Sequence, residues 1–125
     1  MAIAISRDDD QRRFTAVGSE MVTSDDILTL ISTCRVGRYR SYALVFDIRA
    51  ATICVTPAAM LEFAARADAL QEQEGPPGPA AIVADRPGVL ALARLYERLV
   101  QRASRPPLRI VADPAEAHRW LTTFD

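Results

Sequence analysis

The sequence predicts an α/β domain: an N-terminal β-hairpin leading into a mostly parallel five-stranded sheet with four helices. Three observations carry this. Residues 2–5 and 13–18 alternate weakly on either side of a polar turn. The run Ala43-Leu44-Val45-Phe46-Asp47-Ile48 is apolar on both faces, as a central strand covered on two sides must be. From residue 23 onward, helix-period and short apolar segments alternate without internal repeat, which favours right-handed crossovers and one sheet with helices around it.

Each element has a local reason. Asp8-Asp9-Asp10 would repel inside a strand or helix, and a solvated turn tip relieves that. Thr23-Ser24-Asp25-Asp26 starts a helix, because a hydroxyl can accept an orphan N–H and carboxylates favour the positive helix end. Ile27, Leu28, Ile31 and Cys34 then share one face. The strand at 43–48 is expected to give way to a short apolar loop over 50–55. A long helix follows from Pro57 to Gln73, proline being favoured in the first turn where its missing N–H costs nothing. Its sheet-facing stripe is read as Met60, Leu61, Ala64, Ala67 and Leu70, with Glu62 and Arg66 paired outside.

Gly75-Pro-Pro-Gly-Pro79 ends that helix and forces an extended connector. Residues 80–84 form a buried strand, 88–103 a helix with Leu92, Tyr96 and Leu99 on one stripe, and 108–112 the last strand. Asp113 and Glu116 read as a capping box for a final helix carrying Ala117, Trp120, Leu121 and Phe124. Leu44, Phe46, Ile82 and Ile110 are expected in the central sheet, with Leu61, Leu92 and Tyr96 packed on it.

The totals bound the function. A chain of 125 residues with 50% hydrophobic content fits one domain spanning 1–125. It should bury roughly two-thirds of its unfolded surface and needs no staple. Fifteen basic against sixteen acidic side chains give a net charge of −1, which draws neither nucleic acid nor anionic lipid. No stretch approaches the ~20 apolar residues of a membrane span, and the start lacks the basic region of a signal peptide. Cys34 and Cys54 form no CxxC and read as reduced core thiols of a cytoplasmic protein. No His/Cys cluster has metal-ligand spacing, and none of the five glycines sits in a phosphate-binding loop. No cofactor is therefore expected.

The segment from Asp47 to the 57–73 helix resembles the core of STAS domains (sulphate transporter and anti-sigma-factor antagonist). There the family carries V-D-L-S-G-V-x-F-I-D-S-S-G-L. Asp47 and Ile48 take the first Asp and Leu, Arg49 and Ala50 the Ser and Gly, and Val55-Thr56-Pro57-Ala58 the D-S-S-G. The phosphorylated serine of the family falls on Pro57, which has no hydroxyl, and its acidic neighbour falls on Val55. Leu44-Val-Phe-Asp-Ile-Arg49, Leu92-Ala-Arg-Leu-Tyr-Glu97 and Glu116-Ala-His-Arg-Trp-Leu121 look more specifically like the small SpoIIAA-like proteins of bacteria.

The resemblance implies a SpoIIAA-like fold and a non-catalytic regulatory or protein-interaction domain that lacks the phosphorylatable serine. Ile53, Val55, Thr56 and Met60 are the candidate contact surface, since apolar loop residues need a core or a partner. The partner is another protein or a second copy, with a homodimer expected. Thr56 is read as an ordinary N-cap, replaceable at a cost of about 1 kcal/mol. An alternative places a small molecule or anion among Asp47, Arg49, Asp85 and Arg86 at the strand ends, where α/β sheets bind ligands. A strand that turns after Ile48 would point Asp47 and Arg49 to opposite faces. These four could equally be ion pairs that position loops. Arg35, Arg38, Arg40, Tyr39 and Tyr42 make a short basic and aromatic loop that local structure explains, and His118 is expected to be solvated.

Overall fold

A computed structural model describes residues 2–100 and 107–124. Strands β1 (Ile3–Asp8), β2 (Arg13–Thr23), β3 (Ala43–Cys54), β4 (Ala80–Val83) and β5 (Leu108–Val111) lie in that order across one sheet. Pairing of β1 with β2 is antiparallel and all other pairings are parallel. The helices are α1 (Ser24–Cys34), α2 (Pro57–Glu74), α3 (Pro87–Val100) and α4 (Pro114–Thr122), with a 3-10 turn over Gly37–Tyr39. The expected hairpin, sheet and four helices are all present; the last three residues of the helix read over 88–103 lie outside the described residues.

Strands that follow one another in space as in sequence, joined by right-handed crossovers, must place their connecting helices on one face. Leu30 and Cys34 of α1 and Val89 of α3 accordingly pack on Phe14, Ala16, Leu44 and Phe46. Ala59, Met60 and Phe63 of α2 meet Ile27 and Ile31 of α1 and Leu92 and Tyr96 of α3. The opposite face, with Val45, Ala81, Val83 and Val111, is covered by Ala117 and Leu121 of α4. Alternation along β3 thus sends Leu44, Phe46 and Ile48 to three helices and Val45 to one.

Two expectations are corrected here. Residues 50–54 are not a loop: β3 runs to Cys54, and Ser19 to Thr23 of β2 pair with Ala50 to Cys54. A β-bulge makes this possible. Val17 pairs with Asp47 but Ser19 pairs with Ala50, so β3 spends two residues opposite Gly18. The inward set changes from 44, 46 and 48 to Ala51 and Ile53 across it. The second correction concerns α2, where Met60 is 5% exposed and Leu61 is 55% exposed. Met60 shares the inner stripe with Phe63, Ala64 and Leu70, and Leu61 faces out.

Smaller differences have equally local causes. Thr23 and Asp26 complete a reciprocal capping box at α1. At α4, Asp113 accepts from the Glu116 N–H, but the Glu116 carboxylate accepts from the N–H of Ala112, one residue before the cap. The Glu62–Arg66 pair is not formed; the ion pairs among the described residues are Arg7–Asp9 and Asp47–Arg49. Cys34 is buried as expected, whereas Cys54, at the end of the extended β3, is exposed. The connector after α2 runs hard against the chain before β3, and a Cβ on Gly78 would collide with the carbonyls of Ser41 and Tyr42. Only glycine fits there.

Candidate functional site

The start of α2 is built as its sequence dictates. Thr56 is extended, and its hydroxyl accepts the Ala59 N–H at 3.1 Å while Pro57 occupies the first turn. Thr56 is exposed. Ile53 and Val55 are half-buried and pack on the two apolar clusters of the three-helix face, and Met60 is inside. Among the side chains that α2 presents to solvent are the apolar Ala58, Leu61, Ala65 and Ala69, beside the exposed charges of Glu62, Arg66, Asp68 and Glu72. The four apolar side chains fall three to four residues apart and so form one narrow stripe bordered by charge. Near the end of β2, Met21 is also 62% exposed.

The strand-end charges are divided among separate contacts, although the Asp85 and Asp113 carboxylates also act on Arg49. Because β3 continues past Ile48 instead of turning, Asp47 and Arg49 are i,i+2 neighbours on one face and grip each other. Arg49 Nε donates to Asp47 Oδ1 at 3.0 Å and Nη2 to Oδ2 at 2.8 Å, the fork geometry in which guanidinium and carboxylate match best. The Arg49 side chain and then its backbone N–H hold the Asp47 carboxyl below its ordinary range against an opposing push from burial. Arg86 Nη2 donates to the Ala51 carbonyl instead, tying the start of α3 to β3. Asp85 lines a separate open cleft of about 540 Å³ with Arg94, Glu97, Arg109 and Glu116. Asp47, Arg49 and Arg86 do not line it.

The basic and aromatic loop is consumed by internal contacts. Arg7 and Arg38 lie 4.7 and 4.8 Å from the centre of the Tyr39 ring, and Arg12 lies 5.4 Å from that of Tyr42. At such distances the ring quadrupole attracts the cation. The Tyr42 hydroxyl donates to Asp9 at 2.8 Å, which anchors the loop to the hairpin turn. Arg35 and Arg40 turn inward. His118, expected in solvent, is half-buried, its Nδ1 2.7 Å from Nη1 of the buried Arg13. Sequence carried no signal for this pair, because 105 residues separate its members.

Among the described residues no three His, Cys, Asp or Glu side chains stand where they could hold a metal ion. No described helix is long and apolar enough to cross a membrane. No protein-family model and no curated protein matches the sequence. Solved structures do match in shape. One is an uncharacterised protein of the DUF3478 family, with a SpoIIAA-like fold, from Shewanella loihica PV-4. It is 17% identical, with a TM-score of 0.58 over 96% of this chain and 92% of that one. Another is the anti-sigma factor antagonist SpoIIAA in its unphosphorylated form, 10% identical, with a TM-score of 0.61 over 97% and 98% of the two chains. At such identities the likeness speaks for the fold. Together with the strand order, the hairpin start and the helix placement, it establishes that this α/β chain has the SpoIIAA-like fold.

Proposed function

We propose that the domain is a regulatory protein-docking module of the bacterial cytoplasm that works without catalysis, through the exposed stripe on α2 and the adjoining Thr56. The observation that carries this reading is Leu61, 55% exposed in a stripe with Ala58, Ala65 and Ala69 that Glu62 and Asp68 border. A large apolar side chain among small ones lets a partner's backbone approach closely and supplies one anchor for it. A second copy of the chain is the first candidate, since symmetric pairing is the commonest assembly of small domains. The anti-sigma factor antagonist of the same fold supports a protein partner over a small substrate. With Pro57 in place of the family's serine, docking is independent of phosphate.

Sedimentation velocity on the protein and on Leu61→Glu tests this. The expected result is a dimer that dissociates in the variant with an unchanged circular dichroism spectrum. A native protein monomeric at about 100 µM, above the Kd of ordinary specific dimers, rules out self-docking. Capture of one host protein by the native domain, lost with Leu61→Glu, then points to a hetero-partner. Capture that is indifferent to Leu61 overturns the assigned surface. Intact-mass analysis of protein from its own host should show no phosphate on Thr56.

A further inference from the structure

Between the sheet and α1, α2 and α3 lies a partly open cavity of about 160 Å³. Phe46, Phe63, Ile82, Leu92 and Ala93 are among the side chains that wall it. Native cores are packed to crystal density and leave few voids larger than a water molecule. An apolar cavity of about 150 Å³ stays dry and takes up a molecule the size of benzene. The space is therefore large enough for one ring or a short alkyl chain.

One part of the lining is charged. Arg35, at the end of α1, and Arg40 both contribute to the wall, together with Tyr96 of α3. Arg35 Nη1 donates to the Tyr42 carbonyl at 3.1 Å and Nη2 to that of Gly78 at 2.6 Å. Arg40 donates to the carbonyls of Gly75 and Arg35. Every one of these partners is a neutral carbonyl, and neither arginine belongs to the ion pairs among the described residues. A guanidinium has five N–H donors, so both retain unused ones. Burial, opposed by Tyr96 and helped by the Arg40 charge, pushes the Arg35 pKa down to about 10. Asp68 and Gln71 also line the cavity, and Asp68 is exposed to solvent. The Glu74 carboxylate acts on Arg40 from outside the lining, and Arg35 is the cation of this wall with no carboxylate acting on it. Arg35 is half-buried, and a largely desolvated cation without a counter-ion is costly, so an arriving carboxylate relieves that cost.

We propose that this cavity binds a small monocarboxylic acid with a one-ring apolar body, the body among Phe46, Phe63 and Leu92 and the carboxylate at Arg35 beside Tyr96. The inference is independent of docking at α2, whose exposed stripe lies on the outer side of that helix.

Titration of the protein with benzoate and with benzyl alcohol, followed by heteronuclear NMR, tests it. The two probes share a ring and differ in charge. Benzoate should saturate with a Kd at or below about 1 mM and shift the amides of α1–α3. Benzyl alcohol should bind at least tenfold more weakly, because charge-assisted hydrogen bonds are about twice as strong as neutral ones. Ala67→Leu, which fills the cavity from α2, should weaken benzoate at least tenfold; Ala93→Leu repeats the test from α3 should the first variant not fold. Arg35→Gln should abolish the preference for the acid. The proposal is overturned by an absence of saturable binding to the native protein or by equal affinity for acid and alcohol. Affinity that survives a folded, cavity-filled variant overturns it as well.

Discussion

Arg13 of β2 and His118 of α4 meet at 2.7 Å, Nη1 against Nδ1, on the sheet face that α4 covers. A guanidinium has only donors, so Nδ1 must accept and the imidazole proton must sit on Nε2. Burial first, and the Arg13 charge second, lower the His118 pKa from its ordinary 6.5.

A pH dependence follows from that sign. A histidine whose folded pKa is depressed gains protons on unfolding. Its contribution is therefore fully present above about pH 6.5 and is lost as pH falls through the lowered folded value. Melting temperature should decline below pH 6.5 in the native protein, and His118→Gln should flatten that part of the profile. His118→Ala at pH 8 should cost about 1–3 kcal/mol, the penalty for stranding a buried donor, since Arg13 Nε already lacks an acceptor. Identical pH profiles for native protein and His118→Gln would refute the contact.

Adjacent residues of α2 should behave oppositely. Met60→Ala empties a core position and is expected to cost about 2–5 kcal/mol in urea unfolding. Leu61→Ala, measured on the monomer, should stay within about 0.5 kcal/mol. The reverse order would mean that α2 is rotated about its axis.

Two glycines give a similar contrast. Gly78→Ala drives a methyl into the Ser41 and Tyr42 carbonyls and should cost about 1–3 kcal/mol. At Gly88, early in α3, a methyl group would meet nothing within 4 Å. Gly88→Ala should therefore stabilise by about 0.4–1 kcal/mol, through the lost freedom of the unfolded chain. Thermal or urea midpoints of the two variants on opposite sides of the native value are the expected readout.

The cysteines should separate by rate. Burial pushes the Cys34 thiol up to about 11, while Cys54 stands in solvent. The thiolate is the reactive form. At pH 8, iodoacetamide should modify one thiol per native chain quickly, and peptide mapping should find it at Cys54. Rapid labelling of Cys34 before unfolding would contradict the packing of α1.

Most of the architecture was legible because local rules and tertiary packing agree in it. Thr23, Pro57 and Asp113 mark helix starts by chemistry that needs no partner elsewhere. What was missed depends on an irregularity or on distance. The end of β3 was hidden because the bulge opposite Gly18 breaks the alternation that marks a strand, and Ala50 and Ala51 have little β-propensity. The same break concealed that Asp47 and Arg49 share a face. Met60 and Leu61 stand next to each other on a helix whose alanines blur the edge of its apolar stripe, so composition could not say which one turns inward. In sequence Arg35 belongs to a short basic and aromatic loop next to a helix end. Its inward turn is decided by the carbonyls of Tyr42 and Gly78, the second of which lies 43 residues away in sequence.

The three-to-one division of helices leaves the waterproofing of one whole sheet face to a single short helix. During synthesis, β2, β3 and β4 can assemble as they emerge, and each crossover helix closes over the strands it has just joined. The other side stays wet until α4 arrives, nine residues long and made after all five strands. A ribosome-bound or proteolysed chain ending before Pro114 would show Val45, Ala81, Val83 and Val111 as one bare apolar sheet. Such surfaces stick to one another. A stop codon or a nick in the turn before α4 would thus do more harm than its small size suggests, yielding a chain that pairs its strands correctly and still comes out of solution.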